Sequence, residues 1–214
     1  MKQAVITGGN GTLGHAIAAA LEDPGWKILT PSSTDMDVRD ESSVRRFFQQ
    51  NPLELLVCAA GIIRDAPLLR MTGDSWDDVI AVNFKGAVAC ARAALPAMIR
   101  NGGGHIIFIS SFSALHPPVG QAAYATAKAA LLGLMEDLAR AHGPQNIRVN
   151  TVLPGFIETR MTESVSEKRR EEVRDSHLLK RFNTPVEVGK FIRHLHHHLP
   201  HTSGQVFQLD SRIS

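Results

Sequence analysis

Ala4-Val5-Ile6-Thr7-Gly8-Gly9-Asn10-Gly11-Thr12-Leu13-Gly14 is the stretch on which the fold turns. An apolar run of strand character at 4–7 meets a glycine-rich turn, and a helical pattern over about 14–22 follows at once. A strand that feeds directly into a helix leaves free backbone N–H groups and the positive end of a helix dipole at one point. A dinucleotide pyrophosphate would sit there. Gly8 can serve the tight turn, Gly11 the close backbone approach, and Gly14 the packing of helix on strand, with Asn10, Thr12 and Leu13 completing the loop. A glycine loop alone is a weak signal; the strand before it and the helix after it make this one specific.

Outward from the turn, short apolar runs at 27–30, 54–58, 105–110, 148–153 and 206–209 alternate with helical patterns. One helix is expected with Val44, Phe47 and Phe48 on one face, and others near 74–101, 122–142 and 186–197. Strands separated by helices require crossover connections, hence a mostly parallel, doubly wound sheet with helices on both faces. The strands are nearly continuous apolar runs, as burial on both faces demands. At 214 residues the chain is expected to form one α/β domain spanning 1–214, in three α/β/α layers.

Composition narrows the classes. The chain is 43% hydrophobic with a net charge of +2 and no long like-charge block, so nothing calls for nucleic acid or an anionic membrane. Cys58 and Cys90 sit in apolar runs without a CxxC spacing and are read as buried free thiols in a reducing compartment. The first residues run straight into a strand, leaving no room for a signal peptide, and no apolar run nears the ~20 residues of a membrane span. A cytoplasmic protein is expected. His194, His196, His197, His198 and His201 crowd together, but only His194–His198 and His197–His201 are four apart, so surface histidines and no metal are expected.

Tyr124 is the only tyrosine, and Lys128 lies four residues on, on the same helical face. A phenol titrates near ~10 in water, and a neighbouring cation is expected to lower it toward the working range. Ser111 closes the strand at 105–110, at the carboxyl end where open α/β sheets place ligands. Its hydroxyl can hold a carbonyl oxygen while Tyr124 protonates it, which is general-acid catalysis with electrostatic support.

With these residues in place the chain resembles the short-chain dehydrogenase/reductase family along nearly its whole length. The resemblance is carried by the glycine turn, Ala59-Ala60-Gly61, Asn83 in Val82-Asn83-Phe84-Lys85-Gly86, and Ile109-Ser110-Ser111. Tyr124-Ala125-Thr126-Ala127-Lys128 and Pro154-Gly155-Phe156-Ile157-Glu158-Thr159 extend it. It implies a Rossmann-type NAD(P)-binding domain and interconversion of a ketone and a secondary alcohol. It also implies that Lys128 binds the nicotinamide ribose and that Asn83 holds a water relaying protons to it. Asp37 and Val38 would contact the adenine, and Pro154, Ile157 and Thr159 the nicotinamide amide.

Three features depart from the family pattern. Gly11 and Thr12 exchange the usual glycine position in the turn. The usual Asn-Asn-Ala-Gly becomes Cys58-Ala59-Ala60-Gly61, losing two bracing side chains, and the passage from Thr30 to Asp35 is too short for the usual helix. The acidic residue that would hold a ribose 2′-hydroxyl is replaced by Ser32, beside Ser33, which favours NADP(H) over NAD(H).

Ala60-Gly61-Ile62-Ile63-Arg64-Asp65-Ala66-Pro67-Leu68-Leu69-Arg70-Met71 is similar to bacterial 3-oxoacyl-[acyl-carrier-protein] reductases. This implies a 3-oxoacyl thioester substrate and an acidic carrier protein as partner. Arg160, Lys168, Arg169 and Arg170 could meet such a surface, or belong to a solvated helix with Glu163, Glu167, Glu171 and Glu172. The segment 158–182 is the expected substrate lid. A homodimer or homotetramer built on the Tyr124 helix is implied, its stripe of Leu131, Leu132, Leu134, Met135 and Leu138 serving as core or interface. Other readings are a sugar, polyol, steroid or small-alcohol dehydrogenase, and a non-catalytic dinucleotide sensor or scaffold.

Overall fold

The computed structural model describes residues 1–213. Its strands are β1 (Lys2–Thr7), β2 (Trp26–Leu29), β3 (Leu55–Cys58), β4 (Gly104–Ile109), β5 (Ile147–Leu153) and β6 (Val206–Gln208). They pair in the order β2-β1-β3-β4-β5-β6, and every pair is parallel. Parallel neighbours cannot be joined by a hairpin, so each connection crosses a face of the sheet. The crossovers carry α1 (Thr12–Leu21), α2 (Glu41–Gln50), α3 (Gly73–Ile80), α4 (Gly86–Arg100), α5 (Ala122–His142), α6 (Glu167–Ser176) and α7 (Pro185–His198).

Alternation along the strands divides the core into two layers. Val5, Leu56, Ile106, Phe108 and Val149 pack against Val44 and Phe48 of α2, Cys90, Ala94 and Met98 of α4, and Leu131 and Met135 of α5. Ala4, Ile6, Leu55, Val57, Ile107, Ile109 and Val152 point the other way, onto Ile17 and Leu21 of α1 and Val188, Ile192 and Leu195 of α7. Each such fully buried aliphatic or aromatic side chain stabilises the fold by roughly 1.5–3 kcal/mol. This is the three-layer, doubly wound arrangement expected from the sequence, and both thiols are buried and free.

Two local features differ from the sequence reading. The helix expected over 74–101 is a 28-residue run, Gly73–Arg100, interrupted by a π-helical turn at Ala81–Lys85. It is long and apolar enough by composition to cross a membrane, although no such stretch was expected. Its apolar side chains Val79, Ala87, Cys90, Ala91 and Met98 are buried in the core. The segment 158–182 contains α6, the solvated helix offered above, whose first turn is capped by Ser166 accepting from the Arg169 amide. The short passage after β2 is, as its length implies, not a helix but a turn in which the Asp35 and Met36 amides donate to the Ser32 carbonyl.

The second correction concerns the histidines. His196 is not a surface side chain: it is 6% exposed, and its Nδ1 lies 3.2 Å from Nδ1 of fully buried His105. Burial pushes His105 well below the usual imidazole range and His196 down to about 3, so both are neutral. Among the described residues no three His, Cys, Asp or Glu side chains converge as a metal set.

Candidate active site

From β1 the chain steps to β2 on one side and then crosses to β3 on the other. The strand order reverses at β1, so the carboxyl ends of β1 and β3 form the switch point at which open α/β sheets bind ligands in a crevice. Thr7-Gly8 and Cys58-Ala59-Ala60-Gly61 line it. Gly8 adopts φ +70°, and a Cβ there would stand 2.8 Å from Ala60 Cα, so the turn needs glycine twice over. The Thr7 hydroxyl accepts from the amides of Ala59 (3.2 Å) and Ala60 (3.1 Å). That pair of bonds braces β1 against the end of β3, a task the two missing asparagine side chains would otherwise share.

Gly14 carries the helix over the turn: a Cβ there would lie 2.4 Å from the Gly8 carbonyl oxygen. Gly11 is the N-cap of α1 and has no side chain to satisfy the first turn; its own N–H donates to Gly8 O at 3.0 Å. The amides of Thr12, Leu13 and Gly14 therefore face outward without helix partners, and Asn10 is exposed at the tip. The loop fits a dinucleotide pyrophosphate by its backbone alone.

At the adenosine end, Ser32 is not a free hydroxyl. Its Oγ donates to Asp35 Oδ2 at 2.6 Å, and its amide to the same oxygen at 2.9 Å. These bonds hold the Asp35 carboxyl below its usual range, so the position read as neutral carries a charge one side chain away. Asp37 is paired with Arg39, at 2.8 Å from Nη2. Val38 wedges against the start of α4, where a Cβ on Gly86 would meet Val38 Cγ2 at 2.8 Å.

Ser111 lies two residues past β4 and caps the short turn Phe112–Ala114, its Oγ accepting from the Ser113 amide at 3.1 Å. The same hydroxyl acts on the Tyr124 phenol, favouring its ionised form. The α5 helix sets Tyr124 and Lys128 one turn apart, with Nζ 5.7 Å from the phenol ring centroid. Lys128 is 4% exposed and donates to Ile109 O at 2.9 Å, while Ser110 Oγ donates to Lys128 O at 2.8 Å. Strand end and helix are thus tied at the functional pair.

Asn83 reaches the same place from the π-helical turn. Its Nδ2 donates to Val79 O and Ile62 O, both at 2.9 Å, which leaves Oδ1 buried with no partner. That oxygen faces Gly61: a Cβ there would stand 2.7 Å from Asn83 Oδ1 and 3.6 Å from Lys128 Nζ. A buried acceptor left open beside an ammonium is a site for a bridging water.

Electrostatics here run opposite to the sequence expectation. Burial pushes the Tyr124 phenol up to about 12; the Ser111 hydrogen bond pulls it down and the Asp65 charge adds to the rise. Burial also pushes Lys128 down to about 8. Desolvation dominates both shifts because Lys128 and Tyr124 share one poorly solvated site.

Pro154, Ile157 and Thr159 follow β5. Pro154 and Ile157 are buried, Ile157 forms a bridge with Asn183, and Asn183 Nδ2 donates to Pro154 O at 3.0 Å, closing the base of the 158–182 segment. Arg170 is engaged inside that segment, donating to Thr162 O at 2.7 Å and Val165 O at 3.0 Å and pairing with Glu158. Arg169 pairs with Glu172; Arg160 and Lys168 remain exposed. One polar chain escaped the sequence reading. Gln121 Nε2 donates to Asp65 at 2.7 Å, and its Oε1 accepts from Ser113 Oγ at 2.8 Å, beside Ser111. Only the proximity of Gln121 to Tyr124 in sequence could have signalled it.

A six-stranded parallel sheet with a phosphate-binding turn and a Ser–Tyr–Lys cluster at its carboxyl edge defines a nicotinamide-dinucleotide oxidoreductase. A family model described as enoyl-(acyl carrier protein) reductase matches residues 5–211, and the chain belongs to this family of short-chain dehydrogenases/reductases. The 3-oxoacyl-[acyl-carrier-protein] reductase of Thermotoga maritima is 39% identical, over 84% of this chain and 74% of the relative. The corresponding Mycobacterium tuberculosis reductase is 34% identical, over 91% and 85%. A rat (3R)-3-hydroxyacyl-CoA dehydrogenase is also 34% identical, over 90% and 88%. Among solved structures, a putative NAD(P)-dependent gluconate 5-dehydrogenase from Beutenbergia cavernae with bound NADP superposes at a TM-score of 0.92. The match covers 98% of this chain and 95% of that one, at 25% identity.

Proposed function

We propose that this oxidoreductase reduces a 3-oxoacyl thioester to the 3-hydroxyacyl thioester, with Tyr124 as proton donor. The observation that carries this reading is that Lys128 Nζ lies 5.7 Å from the Tyr124 ring centroid and beside Gly61 with Asn83 Oδ1, while Ser111 acts on the same phenol. The reductase and 3-hydroxyacyl-CoA dehydrogenase relatives point to the thioester. Bound NAD(P)H supplies the hydride. Ser111 donates to the carbonyl oxygen, and Tyr124, protonated throughout the neutral range, delivers its proton there as negative charge develops. The Lys128 ammonium stabilises the phenolate left behind, and a water held by Asn83 Oδ1 returns the proton.

The residues holding the cofactor would be Gly8, Asn10, Gly11, Thr12, Leu13 and Gly14 at the pyrophosphate, and Ser32, Asp37 and Val38 at the adenosine. Ala59, Ala60, Gly61, Tyr124, Lys128, Pro154, Ile157 and Thr159 would hold the nicotinamide half. NADP(H) is supported by the hydroxyls of Ser32 and Ser33 and by the NADP in the related structure; the Asp35 carboxylate opposes it. We further propose one domain with a lid at 158–182, a cytoplasmic location suited to free thiols, a homodimer or homotetramer, and an acidic acyl-carrier protein as substrate carrier.

A sugar or polyol substrate is the second reading, favoured by the gluconate 5-dehydrogenase neighbour. The intact four-residue set argues against a non-catalytic sensor. The test is a rate comparison of a 3-oxoacyl N-acetylcysteamine thioester, a sugar acid and simple ketones with NADPH and NADH. Faster turnover of the sugar acid would overturn the thioester assignment.

A further inference from the structure

Asp210 has no part in the proton transfer, yet its carboxylate is fully buried and sits where three segments meet. Arg212 Nε donates to Asp210 Oδ2 at 2.7 Å, and Gln208 Nε2 to Oδ1 at 2.8 Å. His177, 1% exposed at the end of α6, holds its Nδ1 at 2.7 Å from Val173 O, so that nitrogen carries the proton. Its Nε2, without a hydrogen-bond partner, faces Asp210 Oδ2 at 3.7 Å. Gly155 has φ +84°, and a Cβ there would collide with Asp210 Cβ at 2.5 Å.

The neighbouring groups extend these ties in both directions. The amides of Leu178 and Leu179 donate to Ser211 O (3.0 Å) and Ser211 Oγ (3.2 Å), so the lid's far end is stitched to 210–212. On the other side the Arg212 guanidinium carbon lies 3.5 Å from the centroid of the Phe112 ring. Phe112 follows Ser111 directly and opens the turn whose amide at Ser113 holds the Ser111 hydroxyl. A guanidinium 12% exposed and stacked on an aromatic face fixes that ring through cation–π and packing together.

We infer that Asp210 and Arg212 are positioning residues: Arg212 grips the serine turn, Asp210 orients Arg212, and the lid is fastened to the same pair. Lid order and the placement of the Ser111 hydroxyl are thereby coupled. This inference rests on the proposed lid and on Ser111 holding the carbonyl.

Amide hydrogen exchange tests it without any substrate. Arg212→Ala should accelerate exchange on the order of tenfold both at 112–116 and at 174–179, with the amides of β1, β3 and β4 unchanged. Arg212→Lys keeps the charge on Asp210 but loses the planar stack, so exchange at 112–116 should rise while 174–179 stays protected. Wild-type exchange at 112–116 in Arg212→Ala overturns the inference. If that variant loosens the core as well, Arg212→Lys decides, and an unchanged serine turn there overturns it.

With the thioester mimic and NADPH, Arg212→Ala should lower kcat about tenfold with the KM for NADPH unchanged, and Arg212→Lys should restore only part of it. If the wild type turns over no carbonyl at all, the functional proposal fails, while the exchange result still stands or falls by itself.

Discussion

The α-carbon of Gly14 is so close beneath the Gly8 carbonyl that a methyl group on it would stand 2.4 Å from that oxygen. Backbone cannot yield as a flexible side chain can. Gly14→Ala should push α1 off the turn, lose about 1–3 kcal/mol of stability and weaken NADPH binding by tenfold or more. Fluorescence titration with NADPH and thermal melting check this; wild-type affinity would show the turn to be compliant.

Tyr124→Phe removes the proton donor and leaves a ring of nearly the same volume. Turnover of the thioester mimic should fall by about 10²–10⁴ or more, while NADPH still binds. Residual activity near wild type would refute Tyr124 as the acid.

The pH dependence follows from two displaced groups. Tyr124 at about 12 stays protonated over the whole practical range, so the limb of the reductive rate belongs to Lys128. The rate should fall as pH rises through about 8, where the ammonium loses its proton. A kcat–pH profile flat to above 9 would contradict this.

Stability should respond with the opposite sign. The Lys128 value falls from the ordinary 10.5 to about 8 on folding, so between these values the unfolded chain binds a proton that the native state has released. Native stability therefore rises with pH across that window. Lys128→Met, which removes the buried cation, should stabilise the fold by on the order of 1–3 kcal/mol while abolishing turnover. A melting temperature lowered by the substitution would show the Ile109 hydrogen bond to outweigh the desolvation.

Cofactor choice should hinge on Asp35. Neutralising it in Asp35→Asn removes the charge beside Ser32 and should raise the ratio of kcat/KM for NADPH over NADH by about tenfold, the equivalent of ~1.4 kcal/mol. An unmoved ratio would place the selection elsewhere in the loop.

Much of this molecule is written in local pattern. The strands were legible because each is a continuous apolar run, and Ser111, Tyr124 and Lys128 because a strand end and one helical turn fix their spacing. What escaped was set by pairing over long distances. His105 and His196 are 91 residues apart, and nothing in either neighbourhood marks them as partners. Glu and Arg interleave through α6, so it is legible only as a solvated helix, with no apolar stripe to mark its ends. The direction of the Tyr124 shift was misread because spacing reports the nearby cation but not the lost water. Ser32 looked neutral because the carboxylate that engages it is brought back by a turn.

The π-helical turn at Ala81–Lys85, where the Gly86 amide reaches back to Ala81 O, has a consequence for how this site could be silenced. A π turn amounts to one supernumerary residue wound into an otherwise regular rod. Excising a single residue there would restore regular winding and swing the Asn83 carboxamide about 100° around the axis. The flanking turns would keep their faces to the sheet. The proton relay could thus be disconnected by a deletion that alters no functional side chain.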